Sequence, residues 1–181
     1  MNRVRIIGGS HRRRWIEFPD AEGLRPTSDR VRETLFNWLG QSLYGKRCLD
    51  LFAGSGALGF EAASRGADQV VLVERNRAVY RALQETMKSL GFSNVSLRLQ
   101  DGLECVRQDT AKYDVIFLDP PFQAGLLPKL LPLLPQRLLP DGLVYVESGE
   151  AFTPDSGWQV VRQGKAGQVH YQLLRYEAEQ A

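Results

Sequence analysis

Three glycines and three acids carry the first chemical signal. Gly54, Gly56 and Gly59 in "LDLFAGSGALGFEA" keep the G-x-G-x-x-G spacing, which lets a backbone turn sharply and approach a ligand before a helix begins. Glu74 stands 20 residues beyond Gly54, at the end of an apolar run, where an acid accepts hydrogen bonds from ribose hydroxyls in folds of this kind. Together they point to an adenosine-bearing ligand over a glycine turn used only for packing. Asp50 bears on which one. A pyrophosphate gains nothing from a carboxylate inside the first strand, whereas a ligand carrying an ammonium and a sulfonium does. Asp101 adds an acceptor placed for an adenine amino group. Asp50, Glu74 and Asp101 at the carboxyl ends of three neighbouring strands therefore suit S-adenosylmethionine and disfavour a dinucleotide, although each alone could be a strand-end cap.

A second signal is "YDVIFLDPPF", residues 113–122. Val115 to Leu118 have the make-up of a strand buried on both faces, and Pro120 and Pro121 cannot continue it. Taken alone, this is a Pro-Pro turn. Beside the glycine loop it becomes a site: the strand would deliver the Asp119 carboxylate, the Pro120 carbonyl and the Phe122 ring to the same open edge of the sheet. That combination resembles the D/N-P-P-Y/F motif of amino-methyltransferases. Carboxylate and carbonyl can both accept from one amino group, and the ring can stack on a base.

The elements that must position these residues alternate. Strand patterns at 47–52, 69–74, 95–101, 113–118 and 142–148 are separated by helices expected near Leu58 to Ala63, Arg77 to Leu90 and Gly102 to Gln108. The stretch from Gly125 to Pro140 is expected as a broken helix, because Pro128, Pro132 and Pro135 cannot all sit in a helix interior. The C-terminal segment reads as two strands around a "GKAG" turn. The fold class is therefore α/β, a doubly wound and mostly parallel sheet with a C-terminal antiparallel hairpin. Upstream, Val31, Leu35, Trp38 and Leu39 mark an amphipathic helix with Thr27 expected as its N-cap.

The chain has 181 residues and is 43% hydrophobic, enough for one domain with a proper core. No apolar run approaches a bilayer span, and the N-terminus has no apolar h-region, so a cytoplasmic protein is expected. Cys48 and Cys105 suit reduced, packed thiols, and two cysteines with two histidines in unrelated contexts leave no metal site. Charge is uneven: residues 1–47 hold ten Lys and Arg against five Asp and Glu, while the remainder holds thirteen against sixteen. The basic surface is N-terminal and suits a polyanion.

The blocks "RIIGGSHRRRWIEFP", "LRPTSDRVRETLFNWL", "LDLFAGSGALGFEAASRGA" and "FLDPPF" together resemble the RsmD family, which methylates the exocyclic N2 of a guanine in bacterial 16S ribosomal RNA. The resemblance implies a class I, Rossmann-like methyltransferase domain over 25–181 behind a basic, β-rich extension over 1–24. S-adenosylmethionine is the implied donor, and the reaction is a direct in-line displacement without metal or covalent enzyme intermediate. Asp119, Pro120, Pro121 and Phe122 fall on the catalytic motif. Thr27, Asp50, Phe52, Gly54, Ser55, Gly56, Glu74, Arg75, Asp101 and Gly102 are expected around the cofactor, and Arg12, Arg13, Arg14, Arg25, Arg30 and Arg32 along the RNA. The implied partner is 16S ribosomal RNA within the small subunit or an assembly intermediate, met by a monomer away from any membrane. A DNA amino-methyltransferase acting on adenine N6 or cytosine N4 is the nearest alternative. A dehydrogenase leaves "DPPF" unexplained, and a non-catalytic RNA-binding module leaves the glycine loop unexplained.

Overall fold

The computed structural model describes residues 1–121 and 125–177. A seven-stranded sheet forms the middle layer in the order β5-β4-β3-β6-β7-β9-β8. Its strands are β3 (Arg47–Asp50), β4 (Gln69–Glu74), β5 (Val95–Leu99), β6 (Tyr113–Leu118), β7 (Leu138–Ser148), β8 (Trp158–Ala166) and β9 (Val169–Tyr176). Strands β3 to β7 pair in parallel, and β9 runs antiparallel to both β7 and β8. The order reverses between β4 and β6 on either side of β3, so the crevice over β3 is the topological switch point where ligands bind in such sheets.

Alternation along each strand sends side chains to two cores. Cys48, Val70, Leu72, Val115, Phe117 and Tyr145 pack under α1 (Asp29–Trp38), α2 (Ala57–Ser64) and α3 (Arg77–Leu90). Leu49, Val71, Val73, Ile116, Leu118, Val144 and Val146 pack on the other face against α4 (Gly102–Gln108) and α5 (Leu126–Leu130). Helix α3 ends at Gly91, whose φ of 69° closes it in the left-handed region. After α5 the chain continues in two short 3-10 turns, Leu131–Leu133 and Pro135–Arg137, each with proline in its first positions. The expected break of that helix is thus present. The C-terminal turn differs from expectation: Lys165 pairs His170 and Ala166 pairs Val169, so β8 runs through the anticipated turn and the chain reverses at Gly167, where φ is +60°.

The N-terminal segment forms a separate antiparallel pair, β1 (Asn2–Arg5) with β2 (Trp15–Phe18). Val4, Ile6, Ile16 and Phe18 face the same core as α1 and α2. Arg12 and Arg13 lie in the connecting turn and Arg14 just before β2, all exposed. Arg13 has φ 71°, a left-handed turn conformation that breaks any strand through this part of the basic extension. The turn packs on the C-terminal ends of two helices. Ser10 N–H donates to Ser64 O at 2.8 Å, His11 Nε2 meets Leu90 O at 2.7 Å, and the His11 ring stacks on Phe92.

Two expectations about α1 are corrected. Ser28, not Thr27, is its N-cap, accepting from Val31 N–H. Arg32 cannot track RNA, because its side chain is wholly buried and its donors are taken by Thr27 O, Arg5 O, Glu61 and Asp29. Glu61, equally buried, also accepts from Ile7 N–H at 2.8 Å, Gly8 N–H at 2.9 Å and Arg65 Nε at 2.8 Å. A buried guanidinium survives only when paired, and here the pairing pins the hairpin to α1 and α2. No helix among the described residues is long and apolar enough to cross a membrane.

Candidate active site

Strand β3 ends at Asp50, and the chain then turns through Gly54 (φ +53°) and Gly56 (φ +86°) into α2. These conformations suit glycine. Gly59 serves differently: a Cβ there would overlap the Leu72 side chain and approach Asp50, so it allows α2 to lie close on β4. Ser55 is buried, and its hydroxyl accepts from Ala57 N–H. Leu24 overlies Gly54, Phe52 is half-buried, and Gly102 gives α4 room beside Leu51 O and the Phe52 ring.

Glu74 ends the neighbouring strand β4. Its carboxylate accepts from Gly54 N–H at 3.1 Å and Asn76 N–H at 2.8 Å, which ties it to the glycine loop and leaves lone pairs free. Arg75 beside it is exposed. Asp101 follows β5 and accepts from Glu104 N–H at 3.2 Å as the N-cap of α4, so one of its oxygens already has a structural task.

Asp50 is the least comfortable residue in the crevice. It is 1% exposed. Phe52 and Gly59 N–H groups donate to its carboxyl, yet Oδ1 has no partner. Burial, with smaller contributions from Glu74 and Glu147, pushes its carboxyl up to about 7. An orphaned buried oxygen in a negative crevice is what a cationic ligand would satisfy.

The β6 end completes the cluster. Asp119 is half-buried, Pro120 buried and Pro121 exposed; Phe122 lies outside the described residues. Beside Asp119 stands Glu147, near the end of β7, which sequence reasoning did not single out. The register that pairs Leu118 with Val146 sets the two carboxyls side by side. Burial foremost, then the Glu147 and Asp50 charges, hold Asp119 well above the usual carboxylate range. Burial likewise raises Glu147, opposed first by the hydrogen bond from Thr27 and then by the neighbouring Asp119 side chain. Thr27 Oγ1 donates to Glu147 Oε2 at 2.8 Å, so the threonine expected at the cofactor is anchored to the β7 carboxyl. Only the topology, which sets β7 beside β6 with Phe117 opposite Tyr145, brings Glu147 to the site; "YVES" alone reads as a strand end.

The basic residues spread along one side. Arg25 is exposed in the segment before α1, and Arg30 is exposed in its first turn. The Arg12–Arg14 turn packs on the C-terminal ends of α2 and α3, whose N-termini face the crevice. The β1–β2 pair carries a second feature that sequence reasoning missed. Arg3 and Arg5 lie over the exposed Trp15 ring, 4.2 and 5.0 Å from its centroid.

The conserved hypothetical protein 95 family model matches residues 4–175. Ribosomal RNA small subunit methyltransferase D of Escherichia coli strain K12 is 42% identical over 97% of this chain and 91% of its own length. The protein of the same name from Haemophilus influenzae is 40% identical over 95% and 93%. A solved Escherichia coli structure covers 98% of this chain and 100% of its own, with a TM-score of 0.88 and 42% identity.

Proposed function

The chain belongs to the conserved hypothetical protein 95 family, the RsmD family, and from that premise we propose that it methylates ribosomal RNA. In this reaction S-adenosylmethionine is the donor and the exocyclic N2 of a guanine in 16S RNA is the acceptor. The curated relatives carry the ribosomal RNA name. The observation that carries the chemistry is the acid-lined switch point, where Asp50, Glu74, Asp119 and Glu147 converge around a glycine loop with no salt bridge to a cation among the described residues. Such a site rejects phosphates and favours a ligand with positive charge.

Asp50 with its orphaned oxygen would hold the cationic end of the donor, Glu74 the ribose hydroxyls, and the Gly54–Gly56 loop would admit the nucleoside close to the backbone. When bound, S-adenosylmethionine supplies an electrophilic methyl group. The remaining tasks fall to the chain. A base amino group is a poor nucleophile because its lone pair is delocalised into the ring. Asp119 and the Pro120 carbonyl accept hydrogen bonds from its two N–H groups, which favours a pyramidal nitrogen and stabilises the positive charge developing on it, and the methylated nitrogen then loses one proton to Asp119 or water. Pro120 and Pro121 hold both acceptors at fixed backbone angles. Phe122, by its place in the motif, would stack on the base.

The hairpin side, with Arg3, Arg5, Arg12, Arg13 and Arg14, and the exposed Arg25 and Arg30, would carry the RNA backbone. The protein is proposed to act as a cytoplasmic monomer on the small subunit or an assembly intermediate. Donor labelled with tritium in the methyl group, offered to RNA, DNA and protein extracted from cells lacking the enzyme, tests the reading. Label in N2-methylguanosine of small-subunit RNA is expected; label in DNA adenine or cytosine would replace it with the alternative reading.

A further inference from the structure

Glu147 has no task of its own in the reading above beyond its charge, yet it is an enclosed carboxyl beside Asp119. It is 5% exposed. Thr27 Oγ1 donates to one of its oxygens at 2.8 Å, and the parallel register that sets Leu118 opposite Val146 places Asp119 beside it at the ends of β6 and β7. Tyr145 Oη, fully buried on the same strand, lies beside Glu147 yet finds no partner of good geometry. Two carboxyls cannot touch in an enclosed site while both are ionised; one proton between them converts repulsion into a strong hydrogen bond. The groups facing the pair are Thr27 before α1, Asp50 on β3, Tyr145 on β7 and, behind Tyr145, Tyr171 on β9. Glu74 on β4 reaches it only through Asp50. None of these is a cation that could replace the proton.

We propose that Glu147 is a positioning residue for Asp119: held from behind by Thr27, it shares one proton with Asp119 and so fixes which Asp119 oxygen is presented to the substrate amino group. This rests on the reading of Asp119 as the acceptor for that group. The arrangement is the logic of an acid pair in which one member carries the proton and leaves the other a fixed acceptor. Its backing is a threonine three residues before Arg30, in the segment that leads from the hairpin into α1. Docking of α1 and the hairpin would thereby set the geometry of the carboxyl that meets the base.

Carbon-13 NMR of the ligand-free protein, with Asp and Glu carboxyls labelled and assigned through Asp119→Asn, Glu147→Gln and Asp50→Asn, reads the shared proton without any substrate. In the wild type, the Asp119 and Glu147 signals should move together in two steps separated by more than about one pH unit, as coupled sites do. Glu147→Gln removes the like charge and can donate to Asp119, so Asp119 should titrate in one step at lower pH. Thr27→Val removes a bond that favours ionised Glu147, so the pair should keep its proton to higher pH, with Thr27→Ser restoring the wild-type titration. In single-turnover methylation at saturating donor, Glu147→Gln should lower the rate about tenfold to a hundredfold, the scale of a misplaced acceptor. Asp119 titrating identically in the wild type and both variants would overturn the proposal. A wild type that labels no RNA would instead overturn the proposed reaction, and the NMR titration would still decide whether the proton is shared.

Discussion

At the scale of single residues, the crevice is held in a state that ligand binding should relieve. Asp50 in the fold keeps its proton up to about 7 instead of 3.8. Between those values the folded state binds more protons than the unfolded one, so this residue's contribution makes stability fall as pH rises through the window. Above it the residue costs about 4 kcal/mol. Asp50→Asn should therefore be more stable than the wild type to urea at pH 8 and little different at pH 4. An equal gap at both pH values would remove the burial account of Asp50. The same carboxyl must ionise to meet a cation, so S-adenosylmethionine affinity should rise from pH 6 to pH 8 in the wild type and stay flat in Asp50→Asn, as calorimetry would read. Glu74→Ala should weaken S-adenosylhomocysteine binding by about 1.5 to 3 kcal/mol, the scale of a charge-assisted hydrogen bond. RNA affinity should barely change, and wild-type donor affinity in the variant would remove Glu74 from the ribose.

At the scale of elements, the parallel strands, the helix Arg77–Leu90 and the proline-broken segment after Gly125 were legible because local signals act alone there. Apolar runs, a glycine cap and prolines each determine their own segment. What was not legible depended on tertiary neighbours. Arg32 reads as a surface cation in a basic cluster, and only the fold reveals Glu61 waiting on α2 to bury it. Glu147 reads as a strand-end acid until β7 is set beside β6. The turn of Arg12 to Arg14 is carried by neighbours that dock on Ser64 and Leu90, partners that lie far along the chain. Because Arg32 and Glu61 are both enclosed, removing one strands the other's charge. Arg32→Ala should cost about 3 to 5 kcal/mol, seen as a lower urea midpoint, with the hairpin amides losing hydrogen-exchange protection first. Uniform loss of protection across the sheet would mean that the ion network does not specifically hold the hairpin.

At the scale of the whole molecule, the sheet delivers its acids to one edge while the basic hairpin lies along a flank. The Arg12–Arg14 turn sits at the far end of α3, whose 14 residues span about 21 Å. Those arginines would thus meet RNA well away from the target base. Arg12→Ala with Arg14→Ala should reduce the salt dependence of RNA binding by about 1 to 2 in log–log slope, one or two phosphate contacts' worth. Donor affinity should be unchanged; parallel salt lines of equal intercept would assign RNA to Arg3, Arg5, Arg25 and Arg30 instead. The central claim is that the β6 end transfers a methyl group to a guanine amino group, and Asp119→Ala tests it most directly. Asp119 lies beside buried Glu147, so the urea midpoints of both proteins are compared first and lost activity is read on folded protein. The deciding measurement is single-turnover methylation of small-subunit RNA by wild type and Asp119→Ala at matched donor occupancy, with the product nucleoside identified. The account predicts N2-methylguanosine from the wild type and loss of most turnover in the variant, with donor affinity within a few-fold. Normal turnover by Asp119→Ala, or a different methylated nucleoside from the wild type, would contradict it.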